Sequence, residues 1–205
     1  MSITHLDTPG KRTVQEILGN SIVAAIHDFA TKDIPSISDW QGELKHISDL
    51  TLRQTIAEVL YGTLFVYKLG LVTLSQGDEL LALVRAQISE HGAACEAILV
   101  DMLVQKKRKY PTPPLAKDPR YPISCSYSNA YENISLCGML WIIDTAKSEN
   151  IISSNLQAEL HKLRKKRNEV HLYSRRKYSF INTARNCFAT TKMLIAESTT
   201  WQASL

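Results

Sequence analysis

Residues 164 to 173 read Arg-Lys-Lys-Arg-Asn-Glu-Val-His-Leu-Tyr, which places two arginines, an asparagine and a histidine within a few helical turns. His171 can act as proton acid or base because an unperturbed imidazole titrates near ~6.5. Arg167, or Arg164, offers a fixed fork of donors suited to charge developing on a phosphate. Asn168 could orient the histidine or hold a phosphate oxygen. The plainer reading is that Arg164, Arg167 and His171 pair with acids such as Asp144 or Glu96 where two helices meet.

The element that must position these groups is a helix opening at Ser153, Ser154 or Asn155 and running through Tyr173. A capping side chain is followed by Leu156, Leu160, Leu163 and Val170, an amphipathic pattern. At about 100° per residue these four form one stripe. Arg164, Arg167 and His171 line its edge, and Asn168 lies just beyond. Lys162, Lys165, Lys166 and Glu169 face the other way, as does Tyr173. Charged groups on a packing stripe are costly unless something pairs with them.

This helix resembles the signature helix of the HEPN superfamily, compact all-helical domains that include many metal-independent ribonucleases. The family motif is an arginine, usually followed by a polar residue such as Asn, and then a histidine, with about four to six residues between Arg and His. Arg167-Asn168 matches the Arg-polar pair with three residues between Arg167 and His171, and six residues lie between Arg164 and His171. His171-Leu172-Tyr173 resembles the ending of HEPN toxins paired with nucleotidyltransferase antitoxins, which makes Tyr173 a candidate site or modification tyrosine. The resemblance covers residues 85 to 200. It implies RNA cleavage to a 2′,3′-cyclic phosphate and a 5′-hydroxyl, with neither cofactor nor metal. In HEPN ribonucleases two such helices meet across a homodimer and share a cleft. An antitoxin or nucleotidyltransferase partner would suit a toxin or defence role. Inactive HEPN-like domains that only bind nucleotides, RNA or a partner protein are the alternative, and a helical regulator acting through residues 1 to 80 is a third class.

The chain has 205 residues, 44% hydrophobic and 21% charged, with a net charge of +4. These are ordinary globular values. The distribution of charge is less ordinary. Lys162, Arg164, Lys165, Lys166, Arg167, Arg175, Arg176 and Lys177 crowd one stretch against a single acid, Glu169. A second run, Lys106 to Lys109, precedes a proline-rich stretch. Such runs attract polyanions, although each alone reads equally well as a solvated face. Together with the Arg/His stripe they point to RNA. Cys95, Cys125, Cys137 and Cys187 are scattered, without zinc spacing or a disulfide framework. No uninterrupted apolar run approaches a membrane span and no signal-peptide core is evident, so a cytoplasmic protein with no membrane partner is expected.

Helical periodicity predicts a first helix from about Lys11 to Thr31, then a turn-rich linker over residues 33 to 40. A second helix should run from Asp49 to near Gly70. A long one should run from about Gln76 to Lys107, capped by Ser75 with Asp78 and interrupted at His91-Gly92. Residues 110 to 122 carry five of the seven prolines and should form an extended loop. Helices over 129 to 148, the signature helix, and 182 to 198 complete the chain. The expected fold is all-α: an HEPN-like antiparallel bundle over residues 81 to 205, with residues 1 to 80 as a helical extension packed on it. On the long helix, Glu96 is the acid placed to orient the active-site Arg or His.

Overall fold

Asp49 begins the first long helix because its carboxylate accepts the Leu52 amide at 2.9 Å, satisfying a donor that the helix itself leaves open. The computed structural model describes residues 16–110, 134, 137–170 and 180–205, and seven helices have both ends among them. They are α1 (Asn20–Thr31), α2 (Ile37–Glu43), α3 (Leu50–Val72), α4 (Gly77–Lys109), α5 (Met139–Ser148), α6 (Ser154–Glu169) and α7 (Phe180–Ser204). No strand occurs among the described residues, and the fold is all-α. The proline-rich stretch and residues 171 to 179 lie outside the described residues.

The axis of the fold is α4, whose 33 residues extend about 50 Å. The helix is unbroken through His91 and Gly92, contrary to the expected interruption. One glycine costs only about 1 kcal/mol of helix propensity, and packing on several sides outweighs it. Ile88, Cys95, Ile98, Leu99, Met102 and Leu103 are fully buried along α4. Helices α3, α5, α6 and α7 all pack against it. Helix α3 returns antiparallel to α4, with Ser48 bonded to Asp101 near one end and Gly70 against Leu83 near the other. Helix α6 is also antiparallel to α4, whereas α7 runs parallel to it: Thr191 meets His91, and Ser198 lies near the Asp101 end through His46.

Trp40, Leu44, Ile56 and Leu60 share one buried cluster with Leu99, Leu160 and Leu194, so residues before and after position 80 contribute to the same core. The 80/81 position itself falls within α4.

Three local expectations are corrected. The linker over 33 to 40 contains α2, opened by a capping box in which Ser36 accepts the Asp39 amide and Asp39 accepts the Ser36 amide. Ser75 does not cap α4; its hydroxyl meets that of Thr73 at 2.7 Å, and Gln76 stands at the N-cap without a side-chain bond. The helix expected from about Lys11 to Thr31 is interrupted at Gly19, whose φ of +77° suits glycine: residues 16–18 are helical and α1 begins after the break. Helix α3 is long and apolar enough to cross a membrane by length and composition, with a mean hydropathy of 1.4 over an 18-residue window. It also carries Arg53, Glu58 and Lys68, and its Ile56, Ala57, Leu60 and Thr63 are buried in the bundle.

Candidate functional site

The α6 helix opens at Ser153, whose hydroxyl accepts the Leu156 amide at 3.1 Å and donates to Glu197 on α7 at 2.7 Å. The Ser153 amide donates to the other Glu197 oxygen at 2.8 Å. This clamp fixes the register of α6. Leu156, Leu160 and Leu163 are buried and Val170 is partly buried, as the stripe required.

With that stripe inward, Arg167 is carried to the contact with α4. Its Nη1 donates to Glu96 Oε2 at 2.5 Å, with the two side chains 29% and 25% exposed. The same nitrogen lies 3.8 Å from Met139 Sδ at the start of α5. The stem of Arg167 crosses α4 directly over Gly92: a Cβ built there would stand 2.6 Å from Arg167 Cδ. Only glycine admits the side chain along this path. Glu96 is thus the partner of Arg167, placed one turn beyond the glycine that makes room.

Arg164 lies one turn earlier and is half-buried. Among the described residues no carboxylate pairs with it, and its buried Nε has no acceptor. The two arginines that compete for the motif therefore differ physically: one is neutralised by Glu96, the other keeps its charge. Asn168 is exposed beside them. His171, Tyr173, Arg175, Arg176 and Lys177 lie outside the described residues, so their place relative to this pair is not defined.

A histidine on α6, His161, escaped the sequence reading. His161 Nε2 lies 2.9 Å from Asp144 Oδ1 on α5, and Gln157 donates to the same oxygen at 2.9 Å. Its signal was the spacing: positions 157, 161 and 164 share one edge of the helix. The His161 Nδ1 is buried, without a partner among the described residues, so the ring reads as an interhelical tie.

The cations divide into separate groups. Lys165 is exposed, and Lys162, also exposed, pairs with Glu159 at 2.6 Å. Lys166, expected on the outer face, is instead half-buried beside α7 and pairs with Glu169 at 3.0 Å. There Lys162, Lys166, Thr183 and Asn186 line a groove of about 260 Å³ between α6 and α7. The second basic run is elsewhere. Lys106 and Lys107 reach Glu149 at 3.2 and 3.4 Å, and Lys107 is only 3% exposed. Counting along α4, this run stands roughly 15–20 Å from Glu96 and about 21–26 Å from Gly92. Among the described residues its first two lysines are drawn to Glu149 rather than to the Arg167 site.

Among the described residues no group of three or more His, Cys, Asp or Glu side chains is placed to hold a metal ion. Cys95 and Cys187 are buried, and burial raises both thiols to about 12, which keeps them protonated at neutral pH.

No protein-family model matches the chain, and neither a curated protein nor a solved structure matches it significantly.

Proposed function

We propose that the chain is a metal-independent endoribonuclease of the HEPN type, toxin- or defence-like, acting on RNA at an Arg/His site completed across a homodimer. The observation that carries this reading is the seating of Arg167, held over Gly92 by Glu96 at the packing edge of the signature helix. A charged side chain given a glycine groove and a carboxylate partner is oriented, and orientation is what a phosphate ligand needs. Arg164, with its charge unanswered among the described residues, stands one turn away to meet the phosphate. His171 would transfer the proton, and Asn168 would support it. Lys162, Lys165, Lys166, Arg175, Arg176 and Lys177 would hold the RNA backbone through charge, without reading sequence. An antitoxin or nucleotidyltransferase partner belongs to the same reading.

One observation favours a second reading, a non-catalytic RNA- or partner-binding helical domain. Glu96 already answers the charge of Arg167, and Glu149 answers those of Lys106 and Lys107, as structural pairs would.

Purified protein incubated with single-stranded RNA separates the two. Cleavage leaving 2′,3′-cyclic phosphate ends, undiminished by EDTA, is the expected result. His171→Ala should lower the rate by ~10²-fold or more while RNA binding barely changes. Intact RNA, with and without added partner, supports the binding reading; EDTA-sensitive cleavage would mean that other residues perform the reaction.

A further inference from the structure

Helices α3 and α4 and the first half of α7 enclose a cleft that the RNA reading does not use. It holds two adjoining cavities, of about 180 and 220 Å³, that share Tyr67, Gln87 and Ala184 as walls. A cavity near 150 Å³ is enough for a benzene ring. The larger one lies beside Gly70 among Leu71, Leu80, Leu83 and Val84. The smaller is lined by Thr63, Leu64 and Phe188, with polar groups at both ends.

At the inner end is His91, only 2% exposed. Its Nδ1 lies 3.2 Å from the Thr191 hydroxyl, and that hydroxyl donates to the Cys187 carbonyl at 3.0 Å. The same hydroxyl lies 3.4 Å from Cys95 Sγ. In the arrangement where its one proton goes to the Cys187 carbonyl, His91 donates from Nδ1 and Nε2 is left as an acceptor. No other hydrogen bond to the ring exists among the described residues. Burial holds the ring neutral, its pKa lowered to about 4. Gln87, one turn earlier and 5% exposed, donates its amide to the Leu83 carbonyl at 3.1 Å. Its Oε1 has no donor among the described residues. Gln87 and His91 thus bring acceptors to the inner part of an apolar cavity, where a donor on a ligand would meet them.

The outer end has the opposite character. Arg185 is exposed and donates from Nη2 to the Tyr67 hydroxyl at 3.2 Å. No carboxylate pairs with it among the described residues, so most of its donors and its full charge remain available.

We propose that this cleft binds a small aromatic acid carrying a hydroxyl or amine opposite its carboxylate. The carboxylate meets Arg185 and the Tyr67 hydroxyl, the ring lies against Phe188 and Leu64, and the far donor meets Gln87 Oε1 or His91 Nε2. The apolar cavity beside Gly70 takes any alkyl substituent. Each end demands a different group, so the ligand must carry both.

Titration of the full chain with p-hydroxyphenylacetate, by calorimetry or ligand-observed NMR, tests this. Phenylacetate lacks the donor and p-cresol lacks the acid; each should bind at least ~5-fold more weakly. Arg185→Gln, at an exposed position, should weaken p-hydroxyphenylacetate by a similar factor and leave p-cresol unaffected. Gln87→Leu should narrow the preference for p-hydroxyphenylacetate over phenylacetate, with circular dichroism as the fold check. Two outcomes overturn the proposal. One is no binding of any probe at millimolar concentration, which would mean that water alone fills the cleft. The other is binding indifferent to the hydroxyl and to Arg185→Gln.

Discussion

Gly92 is the residue on which the seating of Arg167 depends. An alanine in a helix interior is ordinarily favoured over glycine by about 1 kcal/mol. At position 92 the new methyl would stand 2.6 Å from Arg167 Cδ, so the arginine must swing away and release Glu96. A partly buried ion pair of this kind lies between the surface and interior cases, at about 1–2 kcal/mol. The two effects oppose each other. Gly92→Ala should therefore change stability in thermal or urea unfolding by less than about 1 kcal/mol. RNA cleavage should nonetheless fall by ~10-fold or more, because a displaced phosphate ligand costs rate rather than fold. Unchanged cleavage in a folded Gly92→Ala protein would show that Arg167 is dispensable to the chemistry and would shift the role to Arg164.

Between helices, the tie that sets α6 is the pair of hydrogen bonds that the Ser153 amide and hydroxyl donate to Glu197. Ser153→Ala removes the cap on Leu156 and one of the two links to α7, and should cost about 1–2 kcal/mol in urea unfolding. A cost below about 0.5 kcal/mol would mean that packing of Leu156, Leu160 and Leu163 alone sets the register. The helices themselves were legible in the chain. Leucines at helical spacing and Asp49 and Ser153 as caps announce α3 and α6, because burial of one face and satisfaction of the first amides are local requirements. What was not legible depends on neighbours. Ser36 and Asp39 carry a capping box in plain view, yet Ile-Pro beside them reads as linker until Trp40 is seen buried. Ser75 has the right spacing to cap α4 and fails because the helix begins one residue later, with Gln76 at the N-cap and Gly77 at a φ of +54°. Gly92 looks like a helix breaker in sequence; its use as a groove for Arg167 needs the partner helix. The choice between Arg164 and Arg167 turns in the same way on Glu96, seventy-one residues away.

For the molecule as a whole, two buried histidines make stability depend on pH. His46 is 4% exposed, with Nε2 at 2.8 Å from the Ser198 hydroxyl and Nδ1 at 3.0 Å from that of Thr199. Both hydroxyls also lie within 2.9 Å of the Ile195 carbonyl. A neutral His46 has one N–H, so one hydroxyl accepts from the ring and the other donates to it, and His46 holds the segment before α3 onto the end of α7. Its pKa is lowered chiefly by burial, against an opposing pull from the Glu43 carbonyl and Asp101. His91 is lowered further, from 6.5 to about 4, by burial alone. Between those values the unfolded chain binds a proton that the native His91 refuses. Unfolding therefore takes up protons, and stability falls as pH drops through this window while remaining whole above ~6.5. For His91 the loss between about pH 7 and pH 5 is about 2 kcal/mol, with His46 adding in the same direction. Carboxylates mostly titrate below ~5, so this interval isolates the histidines. Urea unfolding at steps from about pH 7 to pH 5 should show the decline, and His91→Gln should flatten it by nearly one proton per molecule. A wild-type chain whose stability is level across the interval, or a variant with the same slope, would mean that His91 is protonated in the folded protein. In that case Nε2 would be a donor, and the inner end of the cleft would select an acceptor instead.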